Sequence, residues 1–255
     1  MTELVRAVVH EQVATLTLDS PHNRNALSEE LVAELTDRLG QAAADPSVRA
    51  VVLTNAGRVF CAGGDLKAAG SGSMASSTSG IMALLVGIVD LPKPVIAAIR
   101  GHVRAGGMGL VGACDLAVAD PSASFAFTEA RIGVAPAVIS LTTLDLMNPR
   151  AAARYYLTGE TFDAETAARI GLITAAAPEG DLDEIVEGLI AAVRETSPQG
   201  SAETKRLLTA QRRERIAARA DEMAALSAKL FASPEAQEGI HAFLERRPPA
   251  WRSSV

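Results

Sequence analysis

The chain has 255 residues and a formal net charge of −6, with 48% hydrophobic and 21% charged residues. Such a composition suits a soluble globular fold with a sizeable core, and its acidic balance argues against nucleic acid as the main partner, because phosphate binding needs a basic surface. Two cysteines (Cys61, Cys114) make no disulfide framework, four scattered histidines show no metal-ligand spacing, and there is neither a basic-then-apolar leader nor an apolar run of about 18 residues; the expectation is a cytoplasmic protein with no metal and no membrane span.

Residues 4–9 and 13–18 are two short β-prone runs, and His10-Glu11-Gln12 between them suits a hairpin turn. Ala14, Leu16 and Leu18 alternate with Thr15 and Thr17, which gives the second run one apolar face. A loop of turn formers, residues 19–27, leads to a helix from about Ser28. Ser28 is a good N-cap, Glu29 and Glu30 complement the first-turn dipole, and Leu27, Leu31, Leu35 and Leu39 form a stripe. Asp45-Pro46 ends that helix.

Residues 50–54 read as a buried strand and run into Phe60-Cys61-Ala62-Gly63-Gly64-Asp65-Leu66-Lys67. Adjacent glycines let a backbone turn tightly, and they also let bare N–H groups approach an anion; from these residues alone both readings stand. Cys61 is expected to be a small packing residue, with a catalytic thiol as the alternative. The small polar stretch 69–80 predicts a mobile loop, either a lid beside the glycines or a plain connection.

Residues 81–89 form an apolar helix candidate, followed by a second buried strand at 95–99. A second glycine cluster then opens a helix of small residues through Ala113, a junction that directs helix N–H groups forward. Residues 101–109 do not supply G-x-G-x-x-G, so a dinucleotide site is not supported. Further strands are expected at 115–119 and 124–127, and Glu129 is a single carboxylate between apolar runs. From Ser140 the pattern becomes helical. Helices are expected at 151–157 with Tyr155 and Tyr156 packing, from Asp163 as N-cap to Gly171, and at about 181–195 opened by an Asp181–Glu184 capping box. Residues 202–231 read as helix split near Ala220-Asp221, and Ser233-Pro234 starts a last helix to Leu244. The chain thus divides into an α/β part, 1–195, and a helical part, 196–255.

The chain resembles the crotonase superfamily, the enoyl-CoA hydratase/isomerase family, over nearly its whole length. Residues 21–27 resemble the family's Pro-x-x-x-Asn-Ala-Leu segment, and 60–66 its Phe-x-Ala-Gly-x-Asp-Leu motif. Residues 101–115 resemble its Gly-x-x-x-Gly-Gly-Gly segment ending in Cys-Asp, with Ala105 for the first of the three glycines. Thr158-Gly159, residues 164–168, Gly171-Leu172-Ile173 and the tail 243–251 resemble later family patterns.

That resemblance implies an α/β crotonase (ClpP-like) spiral of β-β-α units, with a C-terminal helical region that builds a homotrimer or homohexamer. It implies an acyl-CoA thioester substrate and no separate cofactor, coenzyme A being part of the substrate. Carried over residue by residue, the amides of Gly64 and Gly106 would grip the thioester oxygen, and Glu129 would be the acid/base. Substrate contacts would come from Arg24, Ala26, Ala62, Asp65, Leu66, Lys67 and Gly109, with Lys205 and the Arg-rich segment 212–219 as further candidates for the phosphates. A second hydratase glutamate would fall at position 109, where this chain has Gly109; Asp145 is a candidate substitute. The expected activity is enoyl-CoA hydratase or isomerase. Other enolate chemistry (decarboxylation, thioester hydrolysis) and non-catalytic acyl-CoA binding are the alternatives, and an RNA-binding role is disfavoured by the acidic balance.

Overall fold

The computed structural model describes residues 3–66 and 74–252. Strands β1 (Val5–His10) and β2 (Val13–Leu18) pair antiparallel through a two-residue turn, with Glu11 and Gln12 both in the left-handed region at φ 44° and 67°. Helix α1 (Glu29–Ala44) begins where Ser28 accepts a hydrogen bond from the Leu31 amide, and it buries Leu31, Leu35 and Leu39 as the stripe requires.

The next stretch repeats one pattern. Strand β3 (Ala50–Asn55) joins a six-stranded sheet, β4 (Val59–Cys61) joins a smaller sheet, and α2 (Met74–Asp90) follows. Strands β5 (Val95–Ile99) and β6 (His102–Arg104) divide in the same way ahead of α3 (Gly106–Ala113). So do β7 (Leu116–Ala119) and β8 (Ser124–Ala126), ahead of a 3₁₀ turn (Glu129–Ile132) and α4 (Ala137–Thr143). Helix α5 (Pro149–Thr158), β9 (Phe162–Asp163), α6 (Ala164–Arg169), β10 (Ala175–Ala176) and α7 (Leu182–Arg194) complete the sheets and their covering. The larger sheet runs β1-β2-β3-β5-β7-β10, parallel except for the first hairpin; the smaller runs β4-β6-β8-β9. This is the α/β spiral of β-β-α units. The large sheet buries Val52, Ile96 and Val118 against Leu182, Val186 and Ile190 of α7, while Leu16, Leu53, Ala97 and Phe60 belong to the main core on its other side.

Helices α8 (Pro198–Leu208), α9 (Ala210–Phe231) and α10 (Pro234–Leu244) follow. Lys205 reaches back from α8 to Asp115 and to the carbonyls of Ile88 and Lys93, which ties this segment to the core.

Several expectations are corrected. The part of the expected loop at 74–80 is the first two turns of α2, where Ser77 and Thr78 are buried; packing overrides the weak helix propensity of small polar residues. The rest of that loop, with its lid reading, lies outside the described residues. Asp181 makes no side-chain cap, because its backbone is already helical (φ −95°, ψ 0°) instead of extended. The C-terminal helix divides at Thr209, not near 220.

Candidate active site

The loop before α1 is fixed by one buried side chain. Asn25 accepts from the Ser20 amide at 2.8 Å and donates to the carbonyls of Ala56 (3.1 Å) and Val59 (2.7 Å). Arg24 and Asn25 both take left-handed backbone angles, φ 55° and 51°, a conformation that Asn tolerates better than most residues. That kink lays residues 24–27 beside the first glycine pair. The Ala62 amide donates to the Arg24 carbonyl at 3.1 Å, and the Leu27 amide to the Gly63 carbonyl at 2.8 Å.

The second junction packs directly on the first. A β-carbon on Gly63 would lie 2.7 Å from Ala105 Cβ and 3.0 Å from the Gly106 nitrogen, and one on Gly106 would lie 3.4 Å from the Gly64 nitrogen. Gly106 is the first residue of α3, so its N–H has no partner within the helix. Among the described residues, neither the Gly64 nor the Gly106 amide donates in the loop and turn hydrogen bonds. Two amides with no backbone acceptor therefore stand side by side, one of them at the positive end of a helix dipole.

Glu129 opens the 3₁₀ turn that follows β8. Gly133, at φ 78°, closes that turn by donating its amide to the Glu129 carbonyl. The Glu129 side chain is only 8% exposed, and its Oε2 has no hydrogen-bond partner. Burial raises its carboxyl to about 7, far above the ordinary carboxylate range. Gly64, Gly106 and Glu129 all line one cavity of about 520 Å³.

The same cavity is lined by Arg24, Ala26, Ala62, Asp65 and Leu66, and Asn23 donates to Asp65 at 3.1 Å on its rim. Lys67 lies outside the described residues. Gly109 is not a lining residue: a β-carbon there would lie 2.7 Å from Ile139 Cγ2 and 3.1 Å from Leu85 Cδ1, so α4 fills the space in front of it. Ile139 is the residue that faces the cavity instead. Asp145 does not substitute for a carboxylate at 109. It pairs with Arg212 at 3.0 Å and Arg215 at 2.9 Å, away from the cavity.

The other candidate cations have partners inside the chain. Lys205 is 5% exposed and ion-paired to Asp115 at 2.7 Å, which leaves it no access to a phosphate. In the Arg-rich segment, Arg212 and Arg215 hold Asp145, Arg213 meets Asp90 and Arg219 meets Glu222. Cys61 is fully buried; burial pushes its thiol up to about 12, while the Gly63 amide donates to it. It packs, and holds no thiolate at neutral pH.

Sequence reasoning missed the far wall. Phe231 of α9 and Ala242, Phe243 and Leu244 of α10 line the cavity, with Ile81 and Thr78 of α2. Helix α10 sits on the Glu129 turn by backbone contact: a β-carbon on Gly239 would lie 2.5 Å from the Ile132 carbonyl, and one on Gly133 would lie 2.8 Å from that of Glu235. The tail pattern 243–251 and the expectation that the helix from Ile81 shapes the acyl pocket were the signals for that wall, and Phe231 of α9 carried none. Chemically, the arrangement can hold a carbonyl oxygen on two amides, stabilise negative charge developing there, and exchange a proton near neutral pH through Glu129.

Comparison with known proteins agrees over the whole chain. Residues 9–254 match the profile described as enoyl-CoA hydratase/isomerase. A crystal structure of an enoyl-CoA hydratase from Mycobacterium avium superposes with a TM-score of 0.92 at 54% identity, covering 98% of this chain and 100% of its own. The carnitinyl-CoA dehydratase of Proteus mirabilis is 32% identical over 260 residues, 99% of each chain. The (E)-benzylidenesuccinyl-CoA hydratase of Thauera aromatica is 30% identical over 250 residues, 96% of this chain and 98% of its own.

Proposed function

The chain belongs to the enoyl-CoA hydratase/isomerase family, an enzyme family of acyl-CoA metabolism, and from that premise we propose that it moves a proton on an enoyl-CoA through a thioester enolate, with Glu129 as its single acid/base. The carrying observation is the buried Glu129 carboxyl, with an unpartnered Oε2, in one cavity with the Gly64 and Gly106 amides.

Removing a proton beside a thioester places charge on the carbonyl oxygen. Two preorganised N–H donors stabilise that oxyanion by about 3 kcal/mol each, and backbone donors do so without titrating. A carboxyl raised to about 7 is matched to taking the proton from one carbon and returning it to another. With Ile139 in front of Gly109, no second carboxylate faces the substrate from α3, which favours relocation of a double bond. Water addition is the second reading, favoured by relatives whose names are hydratases.

Incubation with a 3-enoyl-CoA and, separately, a trans-2-enoyl-CoA tests both. A shifted double bond supports the first reading, and 3-hydroxyacyl-CoA the second. Full turnover by Glu129→Gln would overturn both. The homotrimer or homohexamer that the family resemblance implies is consistent with the exposed Leu207 and Leu208 side chains at the end of α8, and sedimentation of the purified chain as a monomer would exclude it.

A further inference from the structure

We infer that Ile139 decides which acyl groups the cavity accepts, admitting an unbranched apolar chain and turning away substituents on its third carbon. The inference rests on the thioester reading above and adds the substrate class. Gly106 and Gly109 lie three residues apart on α3, hence on one face of the helix. The place of the side chain that Gly109 lacks is taken by Ile139, whose Cγ2 and Cβ stand 2.7 and 3.2 Å from where a β-carbon would be. Ile139 is at the same time a wall of the cavity. A carbonyl held at the Gly106 amide therefore has Ile139 about one helical turn away, the reach of the next two carbons of an acyl chain.

The wall is rigid. The Ile139 carbonyl accepts from the hydroxyls of Thr142 (3.2 Å) and Thr143 (2.7 Å), and Thr143 also meets the Tyr156 hydroxyl at 2.5 Å. Thr142 donates in addition to the Gly109 carbonyl at 3.1 Å, and a β-carbon on Gly112 would lie 2.6 Å from the Thr142 carbonyl. Helix α4 is thus bolted to α3 and cannot back away from a bulkier substrate. A β-branched side chain is itself stiff at χ1. It offers no polar partner to a hydroxyl or carboxylate on the facing carbon, whose desolvation would go uncompensated.

The test is isothermal titration of the full chain, as wild type, Ile139→Val and Ile139→Ala, with coenzyme A, butanoyl-CoA and 3-methylbutanoyl-CoA. These saturated thioesters report binding without turnover. Wild type should prefer butanoyl-CoA over the branched thioester by at least about 10-fold, the range that one methylene commands in an apolar pocket. Ile139→Ala should reduce that preference to about 1, and Ile139→Val should shift it the same way by a smaller factor, which keeps the test open if the alanine variant does not fold. Thioesters that bind with a preference no substitution moves overturn the assignment of Ile139 alone. Failure of wild type to bind either thioester overturns the proposed function and this inference with it.

Discussion

Lys205 Nζ lies 2.7 Å from Asp115 Oδ2 at a site almost closed to water, where α8 meets the start of β7. The ammonium also donates to the carbonyls of Ile88 and Lys93, and Asp115 accepts from the Val95 amide, so every charge in the pair is satisfied. Burial raises the Asp115 carboxyl and Lys205 opposes that shift. Lys205→Ala leaves a mostly buried carboxylate without its ion-pair partner and with only the Val95 amide and the more distant Arg212 charge to support it, and should lower stability by about 3 kcal/mol. Urea unfolding with an unchanged slope and a lower midpoint is the expected result; a midpoint within error of wild type would show that the pair is dispensable.

Glu129 ties stability to pH in a defined sense. Its carboxyl titrates near 4.5 when free and near 7 in the fold. Between those values the native state holds a proton that the unfolded chain releases. Its contribution is therefore fully present below about 4.5 and is lost as pH rises through 7, at a cost on the order of 3 kcal/mol. Glu129→Gln should remove this slope, gaining on wild type at pH 8 relative to pH 5. Denaturation of both proteins at the two pH values checks it, and parallel profiles would contradict the burial argument. As a base, Glu129 should also give kcat/KM that rises with pH through about 7.

Two helix glycines should respond oppositely to the same change. A β-carbon on Gly109 meets Ile139 at 2.7 Å, whereas one on Gly40 in α1 meets nothing within 4 Å. Gly109→Ala should cost roughly 1–3 kcal/mol by overpacking. Gly40→Ala should stabilise by about 0.5–1 kcal/mol through helix propensity. Thermal melts that move in the same direction for both variants would contradict the packing account.

Ala105 occupies φ 47°, ψ −120°, a region that disfavours any β-carbon, immediately before the Gly106 amide. Relief of that strain should let Ala105→Gly stabilise the fold by about 1 kcal/mol. A lower melting temperature for this variant would show instead that the Ala105 methyl, packed where Gly63 has no side chain, is needed there.

Local features were legible because they need only neighbouring residues. Ser28 caps α1, Asp163 caps α6 and Ser233 caps α10, each accepting an amide within its own first turn. Strands β3 and β5 were readable as continuous apolar runs buried on both faces. Strands β4 and β6 were not, since three residues carry no period, so the repeating β-β-α pattern came from the family resemblance and not from periodicity.

By itself, the sequence determined the α/β class, the two strand-to-helix junctions at Gly64 and Gly106, and Glu129 as a single carboxylate between apolar runs, because motif and periodicity are local properties of a chain. Tertiary structure alone decided what those residues face. It buried Glu129 deeply enough to raise its carboxyl to about 7, set the Gly64 and Gly106 amides side by side, and brought α10 over the Glu129 turn. It also withdrew Lys205 and Asp145 from the site by pairing each with an opposite charge. At position 109 it replaced an absent carboxylate with Ile139, thirty residues along the chain. The physical reason is common to all of these: burial, ion pairing and steric exclusion depend on which distant groups share a volume, and no local pattern encodes that.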